Sequence, residues 1–406
     1  MSSHIDQEIL TEILKRLPAK FLVQLRCVSK SWYSLITSPS FISIHSKYTI
    51  DHNSTRTSSS STAKLMLRHY SWAHKKEIYT VNSSSMSSFD QYQELVFPFK
   101  SYSQYFEIVG SCNGILCLSD TYRLNSHTII LWNPTIRKSI TLPLPSVSFD
   151  QIYMFVLGFG CDDKRNEYKV VRIVYRVMDN KCRVDITPQV EVYELSLDAW
   201  RSIRIDAAPQ YVISELPVRV FLKGSVHWIG YIPSEEDSDF RDLSLVLFDM
   251  NKEVFREMKL PGVTGLSVLD LSIFGSGNLL SLIQYNRHTR SQWIQYGSCS
   301  IWVMKDYGKV ESWTKQFTVD LQGGVGKALG LGNNAEMLLV KSSGELVSYD
   351  IENQKISHLG IKGIVSSFHL ETYSETLVLL DGINEILGHK IPENCSDSHL
   401  EGAYER

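Results

Sequence analysis

"FLKGSVHWIGY", residues 221–231, and "LVLFDMNKEVFREMKLP", residues 245–261, decide the fold, because together they spell two successive antiparallel hairpins. In the first, apolar runs flank Lys223-Gly224, a pair suited to a tight two-residue turn. In the second, the polar "DMNKE" separates two β-rich runs. The leading strand of this second hairpin echoes along the chain in "EIYTV", "ILWNP", "EVYEL", "SIWVM" and "LVSYDI". The aromatic residues of the set, Tyr79, Trp132, Tyr193, Phe248, Trp302 and Tyr349, are 53, 61, 55, 54 and 47 residues apart. A repeat of roughly fifty residues is that of propeller blades.

Most echoes follow another hairpin with a glycine or asparagine turn, as in "GSCNGILCL", "FGSGNLLSLIQY" and "LGNNAEMLLV". Each period therefore supplies four antiparallel strands. The first period lacks a complete leading hairpin, and "SSFHLETYSETLVLLD", residues 366–381, is left over at the other end. Letting that segment complete the first blade seals the ring and protects its open edges. The expectation is an all-β propeller of four-stranded blades over residues 64–382, six in number with seven as the nearest competitor, then a polar tail over 383–406.

Ahead of it, Ile5, Ile9, Leu10, Ile13, Leu14 and Leu17 recur at helical spacing, with Asp6 as a cap and Pro18 ending the run. Leu22, Leu25, Val28, Trp32, Leu35 and Ile36 continue through two shorter pieces until "SPSF" stops the pattern at Pro39. Residues 1–50 thus read as a small all-α unit of three short helices, and 51–63, rich in Ser and Thr, as a polar linker or loop. So small a unit buries too little surface to stand alone. Physics leaves two options open: the helices cap their own β domain, or a spare apolar face docks another protein.

The charge balance, 41 basic against 44 acidic residues, provides no footprint for nucleic acid or an anionic membrane. No secretory h-region opens the sequence and no window is apolar enough to span a bilayer, so an intracellular protein is expected. Seven scattered cysteines include no C-x-x-C pair and read as reduced and structural; Cys112 and Cys117, five apart, are expected on opposite faces of a strand. "GGVGKALG", residues 323–330, lacks the Ser or Thr of a phosphate loop and reads as an inter-blade turn. "GFGC", residues 158–161, has no helix behind it and reads as strand and turn. His227, beside Trp228, reads as a satisfied core residue, and "EEDSDFRD", residues 235–242, as a solvated loop. No catalytic residue, metal site or cofactor is expected.

"RLPAKFLVQLRCVSKSWYSLITSPSF", residues 16–41, resembles the F-box of plant proteins, with Leu17, Pro18, Leu22, Cys27, Val28, Trp32, Leu35, Ile36, Pro39 and Phe41 among the matching positions. "LWNPTIRKSITLP", "GFGCDDKRNEYKVVRIV" and "VEVYELSLDAWRSI" look like the F-box-associated, kelch-like region, most similar to the S-locus F-box and S-locus F-box-like group. The resemblance implies a substrate receptor, cytoplasmic and compatible with nuclear residence. It implies docking to a Skp-type adaptor and, through it, to cullin and RING subunits. Ile5, Ile9, Leu10, Ile13, Leu17, Pro18, Leu22, Val28 and Trp32 are the expected adaptor contacts. For the S-locus group it implies a pistil ribonuclease target in self-incompatibility. Two departures stand out: Phe21 replaces a usual Ser, and Ile5-Asp6 replaces an opening Leu-Pro, which predicts weaker adaptor binding. A non-degradative propeller scaffold and a propeller hydrolase remain as alternatives; for the hydrolase, carboxylates and histidines of several blades would converge in the central funnel.

Strand direction also predicts where a target sits. In an up-and-down blade, turns one-to-two and three-to-four share one face, here short ("LKGS", "MNKE", "DYGK"); the others share the opposite face and are long. Long loops on a rigid scaffold carry recognition. Tyr211, Tyr231, Arg241, Arg287, Arg290 and Trp293 are the target-binding candidates there, as aromatics and arginine anchor protein interfaces.

Overall fold

The computed structural model describes residues 6–55, 64–83, 92–96, 106–122, 126–147, 153–165, 167–177, 185, 187–204, 211–214, 216, 218–233, 242–263, 265–287, 296–331 and 336–378. Helices α1 (Gln7–Leu14), α2 (Ala19–Leu25), α3 (Lys30–Thr37) and α4 (Pro39–Thr55) precede a ring of strands. The helical unit thus holds four helices among the described residues, not three. Pro39, expected as a stop, is the first residue of α4, where a fixed φ and a missing N–H cost nothing. Ser38 caps that helix: its Oγ accepts from Phe41 N at 3.3 Å. α4 also runs past residue 50 into the Ser/Thr tract.

Six blades close the ring, each counted from the centre outward. Blade 2 is Glu107–Cys112, Ile115–Tyr122, Ser126–Asn133 and Lys138–Thr141. Blade 3 is Tyr153–Asp162, Glu167–Arg176, Gln189–Glu194 and Ala199–Ile203. In blade 4, Val212–Ile213 and Arg219–Leu222 share the inner position beside Ser225–Tyr231, Leu243–Asp249 and Val254–Lys259. Blades 5 and 6 share the long strand Trp313–Leu331, which is the outer strand of the first and, from Val325, the inner strand of the second. "GGVGKALG" is therefore a crossover running into an inner strand, which corrects the expected turn.

Blade 1 takes its inner strand, His369–Tyr373, from the far end of the sequence, beside Lys64–Ser71, Lys76–Ser83 and Tyr92–Glu94. The register Lys64↔Tyr373 to Arg68↔His369 is the expected seal. All six echo aromatics lie on the third strand of their blade. An apolar cluster fills each of the six spaces between blades. Asn113-Gly114 and Lys223-Gly224 have positive φ at both residues, the two-residue turn their sequence predicts.

Cys112 and Cys117 sit on successive strands of one hairpin and share the core between blades 2 and 3, because the Asn113-Gly114 turn separates them; they are not on opposite faces of a single strand. The described cysteines are all free. In "GFGC", a Cβ on Gly158 would lie 2.4 Å from the Trp228 ring, and one on Gly160 2.3 Å from that of Phe221. These glycines let blade 4 approach the inner strand of blade 3. No helix among the described residues is long and apolar enough to cross a membrane.

Candidate interaction surfaces

The helical unit builds its core from Leu14, Ala19, Leu22, Ile36 and Phe41, and closes it with a residue of the propeller chain, Leu377, 1% exposed. Ile136, from the three-to-four turn of blade 2, packs on the same cluster. Asp6 caps α1 by accepting from Glu8 N at 3.0 Å, and Ser29 caps α3 by accepting from Trp32 N at 3.2 Å. Asp6 thus starts the helix that a proline would otherwise open. Buried His45 sits against the Leu17 carbonyl at 3.0 Å; burial holds its pKa below the ordinary value, so the ring is neutral at pH 7.

The segment that carries Leu377 is clamped to the ring. Asn133 Nδ2 donates to the carbonyls of Thr376 at 2.9 Å and Val378 at 2.8 Å, and the hydroxyls of Thr135 and Tyr373 meet at 2.6 Å. Glu375 accepts from Lys64 Nζ at 2.5 Å and from Lys20 N at 3.4 Å, joining blade 1 to α2. Ile136 and the residues after Tyr373 emerge on the face of the one-to-two and three-to-four turns. The helices therefore sit on the short-turn face, and the opposite face points away from them.

The expected adaptor contacts separate into three groups. Ile9 (56% exposed) and Ile13, one turn apart on α1, are open to solvent, as are Pro18 and Val28 (61%). Leu10, Leu17 and Trp32 lie half-buried against the helical core. Leu22 is 0% exposed and belongs to that core, a correction: α2 turns it toward Leu14, Ile36 and Leu377, so no partner can reach it without unfolding the unit. Ile5 lies outside the described residues. Periodicity missed Phe21 and Tyr33, both exposed, with Arg26 over the Tyr33 ring at 6.0 Å. Phe21 was nevertheless marked by its departure from the usual Ser.

On the loop face, Tyr211 and Tyr231 come together at blade 4, where Val212 pairs with Tyr231. Both are half-buried against the core between blades 3 and 4. Arg287 ends the second strand of blade 5, its side chain not described; Arg241, Arg290 and Trp293 lie outside the described residues, as does most of 235–242. Sequence reasoning missed four exposed apolar residues on this face: Trp72 (64%), Val96 (83%), Leu144 (82%) and Leu269. Trp72 meets Tyr70 edge-on at 5.6 Å.

Toward the loop-face ends of the strands, charged side chains of several blades meet. Arg219, on the inner strand of blade 4, reaches past blade 3 to that of blade 2, donating to the carbonyls of Val109 at 2.8 Å and Ile108 at 3.2 Å and pairing with Glu107. Arg68 donates to the Ser367 and Phe106 carbonyls, both at 3.2 Å, and pairs with Glu77 at 3.3 Å. His369 Nε2 lies 3.2 Å from Glu371, and Lys327 donates to the Phe368 carbonyl at 2.6 Å. Carboxylates and a histidine do gather at the funnel, as the hydrolase alternative asks. Glu107 and Glu371 are engaged by Arg219 and His369, while Glu77 has only the Arg68 ion pair and burial raises its pKa; no group of His, Cys, Asp and Glu suited to a metal occurs among the described residues. His227 is the satisfied core residue expected, between the Val220 carbonyl at 3.2 Å and the Tyr307 hydroxyl at 2.8 Å; burial lowers its pKa to about 4.

Four α-helices seated on a six-bladed ring define an α-unit-plus-propeller protein. Comparison with known families gives that class its name. Residues 2–43 match the F-box domain and residues 69–380 the F-box associated β-propeller domain, and the chain belongs to this family of F-box proteins. It is 27% identical to F-box protein At3g07870 of Arabidopsis thaliana, over 93% of this chain and 92% of that one. It is 28% identical to F-box protein CPR1 of the same plant, over 92% and 89%. Among solved structures, TolB from Acinetobacter baumannii aligns with a TM-score of 0.42 at 8% identity, covering 77% of this chain and 66% of that one, a likeness too distant to carry any argument. The family implies a non-catalytic subunit.

Proposed function

We propose that the protein is the substrate-recognition subunit of a Skp-cullin-F-box ubiquitin ligase. In this reading the helical unit binds a Skp-type adaptor, which brings cullin and RING subunits, while the loop face of the propeller binds a target protein. One observation carries it: the exposed apolar surface of the helices and the long-loop face lie on opposite sides of one ring, pinned together by Leu377 and Glu375. The catalytic contribution is proximity, since target and ubiquitin-charged enzyme are held on one frame. Ile9, Ile13, Pro18, Phe21 and Val28 supply the open adaptor surface, with half-buried Leu10, Leu17 and Trp32 beneath it. Tyr211 and Tyr231, with Trp72, Val96, Leu144 and Leu269, supply the apolar part of the target surface. The resemblance to the S-locus group makes a pistil ribonuclease the first target to test.

The test uses exposed positions, so the fold survives. Replacing Ile13 and Val28 together by Asp should abolish co-purification of the adaptor while the melting temperature stays within a few degrees. Adaptor retained at the wild-type level would sink the assignment of the helical surface. Exchanging the loops of the long-loop face for those of a relative with another target should move target selection; selection that follows the short turns instead would sink the assignment of the propeller face.

A further inference from the structure

The short-turn face carries a pattern that neither the adaptor surface nor the target surface uses. In each of blades 3, 4 and 5 its turns and the strand starts beside them present two exposed cations and one exposed apolar side chain. Lys164 and Arg165 stand with Leu197 in blade 3, Lys223 and Lys252 with Val254 in blade 4, and Lys305 and Lys309 with Leu279 in blade 5. The same turns expose only Asp163, Asp306 and Glu311 as acids among the described residues. Lys309 pairs with Asp306 at 3.5 Å, whereas Lys164, Lys223, Lys252 and Lys305 form no ion pair with a described residue. The three blades are neighbours in the ring, so these groups form one basic and apolar arc. The contacts that seat the helices are with blades 1 and 2, on the same face.

The sequence after Val378 has the complementary character. Residues 379–406, which lie outside the described residues, hold six acidic residues against Lys390 and Arg406, leaving 39 basic and 38 acidic residues for the rest of the chain. The net negative charge of the protein therefore resides in this segment. Leu379, Leu380, Ile383, Ile386, Leu387 and Ile391 place apolar side chains among its carboxylates. The described chain delivers the segment to the matching face, because Asn133 of blade 2 holds the Val378 carbonyl at 2.8 Å beside the short turns. Twenty-eight residues reach up to about 90 Å when extended. Sheets packed roughly 10 Å apart put blade 5 on the order of 30 Å from blade 2.

We propose that residues 379–406 turn back over the short-turn face and dock along the arc of blades 3–5, carboxylates on its lysines and apolar residues on Leu197, Val254 and Leu279. Each exposed ion pair contributes little. Covalent attachment nevertheless holds the segment at an effective concentration in the millimolar range, at which a weak contact is mostly made. A separate acidic partner, or a second copy of the chain, has to displace the segment before it can use this face.

The full-length protein would be treated with a water-soluble carbodiimide, which condenses a carboxylate with a touching amine into an amide and takes up the water as a urea. Mass spectrometry then reads the linked peptides. Links from Glu393, Asp397, Glu401 or Glu405 to Lys164, Lys223, Lys252, Lys305 or Lys309 are expected, and about threefold fewer when salt rises from roughly 0.05 M to 0.5 M. An equal mixture of 15N-labelled and unlabelled protein separates links within a chain from links between chains. Links no more frequent at the arc than at exposed Lys20 on the helices and Lys75 on the opposite face, or formed only between chains, overturn the proposal. In full-length protein carrying Lys164→Glu, Lys252→Glu and Lys305→Glu, trypsin should cut after Lys390 about fivefold faster than in the wild type, because cutting follows the undocked population. The melting temperature should stay within a few degrees, since all three side chains are exposed. An unchanged rate of cutting would show that the segment is free of the arc and would likewise overturn the proposal.

Discussion

Leu377 should be worth more to the helical unit than to the propeller whose chain carries it. It is 1% exposed and packs among Leu14, Ala19, Leu22, Ile36 and Phe41, so Leu377→Ala opens a cavity in a core of only a handful of side chains. Truncating a buried leucine costs about 2–5 kcal/mol. The four helices have little other buried surface to draw on, so most of that cost should appear as local opening of α1 to α3 rather than of the ring. Hydrogen exchange reads this directly. Amides of these helices should exchange about 30-fold faster at the low end of the range, while the third strands of blades 3 and 5 remain as protected as before. Adaptor affinity should fall as well, although Leu377 lies in the core and not on the adaptor surface. Exchange in α1 to α3 that changes less than about threefold would show that the helices close their core without the C-terminal segment, and the coupling inferred from these contacts would be wrong.

Two further outcomes follow from close packing and from burial. Gly158→Ala should force a Cβ against the Trp228 ring and destabilise the ring by about 1–3 kcal/mol, read as a lower melting temperature; an unchanged melt would mean that blade 4 can slide away from blade 3. His227 is buried neutral with its pKa lowered to about 4, below the ordinary 6.5, so the unfolded chain binds the extra proton between those values. Stability should therefore be fully present above about pH 6.5 and fall as the pH drops toward 4, by up to roughly 3 kcal/mol from this residue. Urea unfolding across that range should show a shallower slope in His227→Gln, and an identical slope would remove His227 as a cause.

The ring was legible because its signals are local and repeated. The aromatic residue of each third strand faces an inter-blade core, so the same residue class returns with every blade, and Asn-Gly or Lys-Gly turns mark the hairpins between. Closure was legible as arithmetic, from a leading hairpin missing at one end and an unpaired segment at the other. The start of α4 was not, because Ser-Pro carries opposite meanings: it disfavours continuation of α3, and it also supplies a capping hydroxyl and a first-turn proline to the next helix. Leu22 was misplaced for a related reason. Helical spacing identifies an apolar residue without saying whether its face meets the unit's own core or a partner; here Leu22 meets Leu14, Ala19, Ile36 and Phe41 of its own unit together with Leu377, some 355 residues away. In sequence, Lys327 has meaning only as the lysine of a phosphate loop; its setting depends on Phe368 and Arg68, which nothing in "GGVGKALG" announces.

The position of the helices carries a functional consequence of its own. A receptor joined to its adaptor-binding unit by a single chain crossing would let the target swing, diluting it over the volume the connection permits. Here the chain leaves the helices toward blade 1 and, having built the whole ring, returns to them through Glu375 and Leu377. The return adds a second, packed attachment beside Lys64, where blade 1 begins. The second is made of buried apolar contact and of two carbonyls held by Asn133, so it persists as long as blades 1 and 2 are folded. The strand that seals the ring and the leucine that seals the helical core are consecutive parts of one segment, and a propeller that has not closed therefore presents no stable helical unit to the adaptor. In the proposed ligase, this arrangement admits only a completed target-binding face to the complex, and it holds that face at one distance and angle from the adaptor while the target is modified.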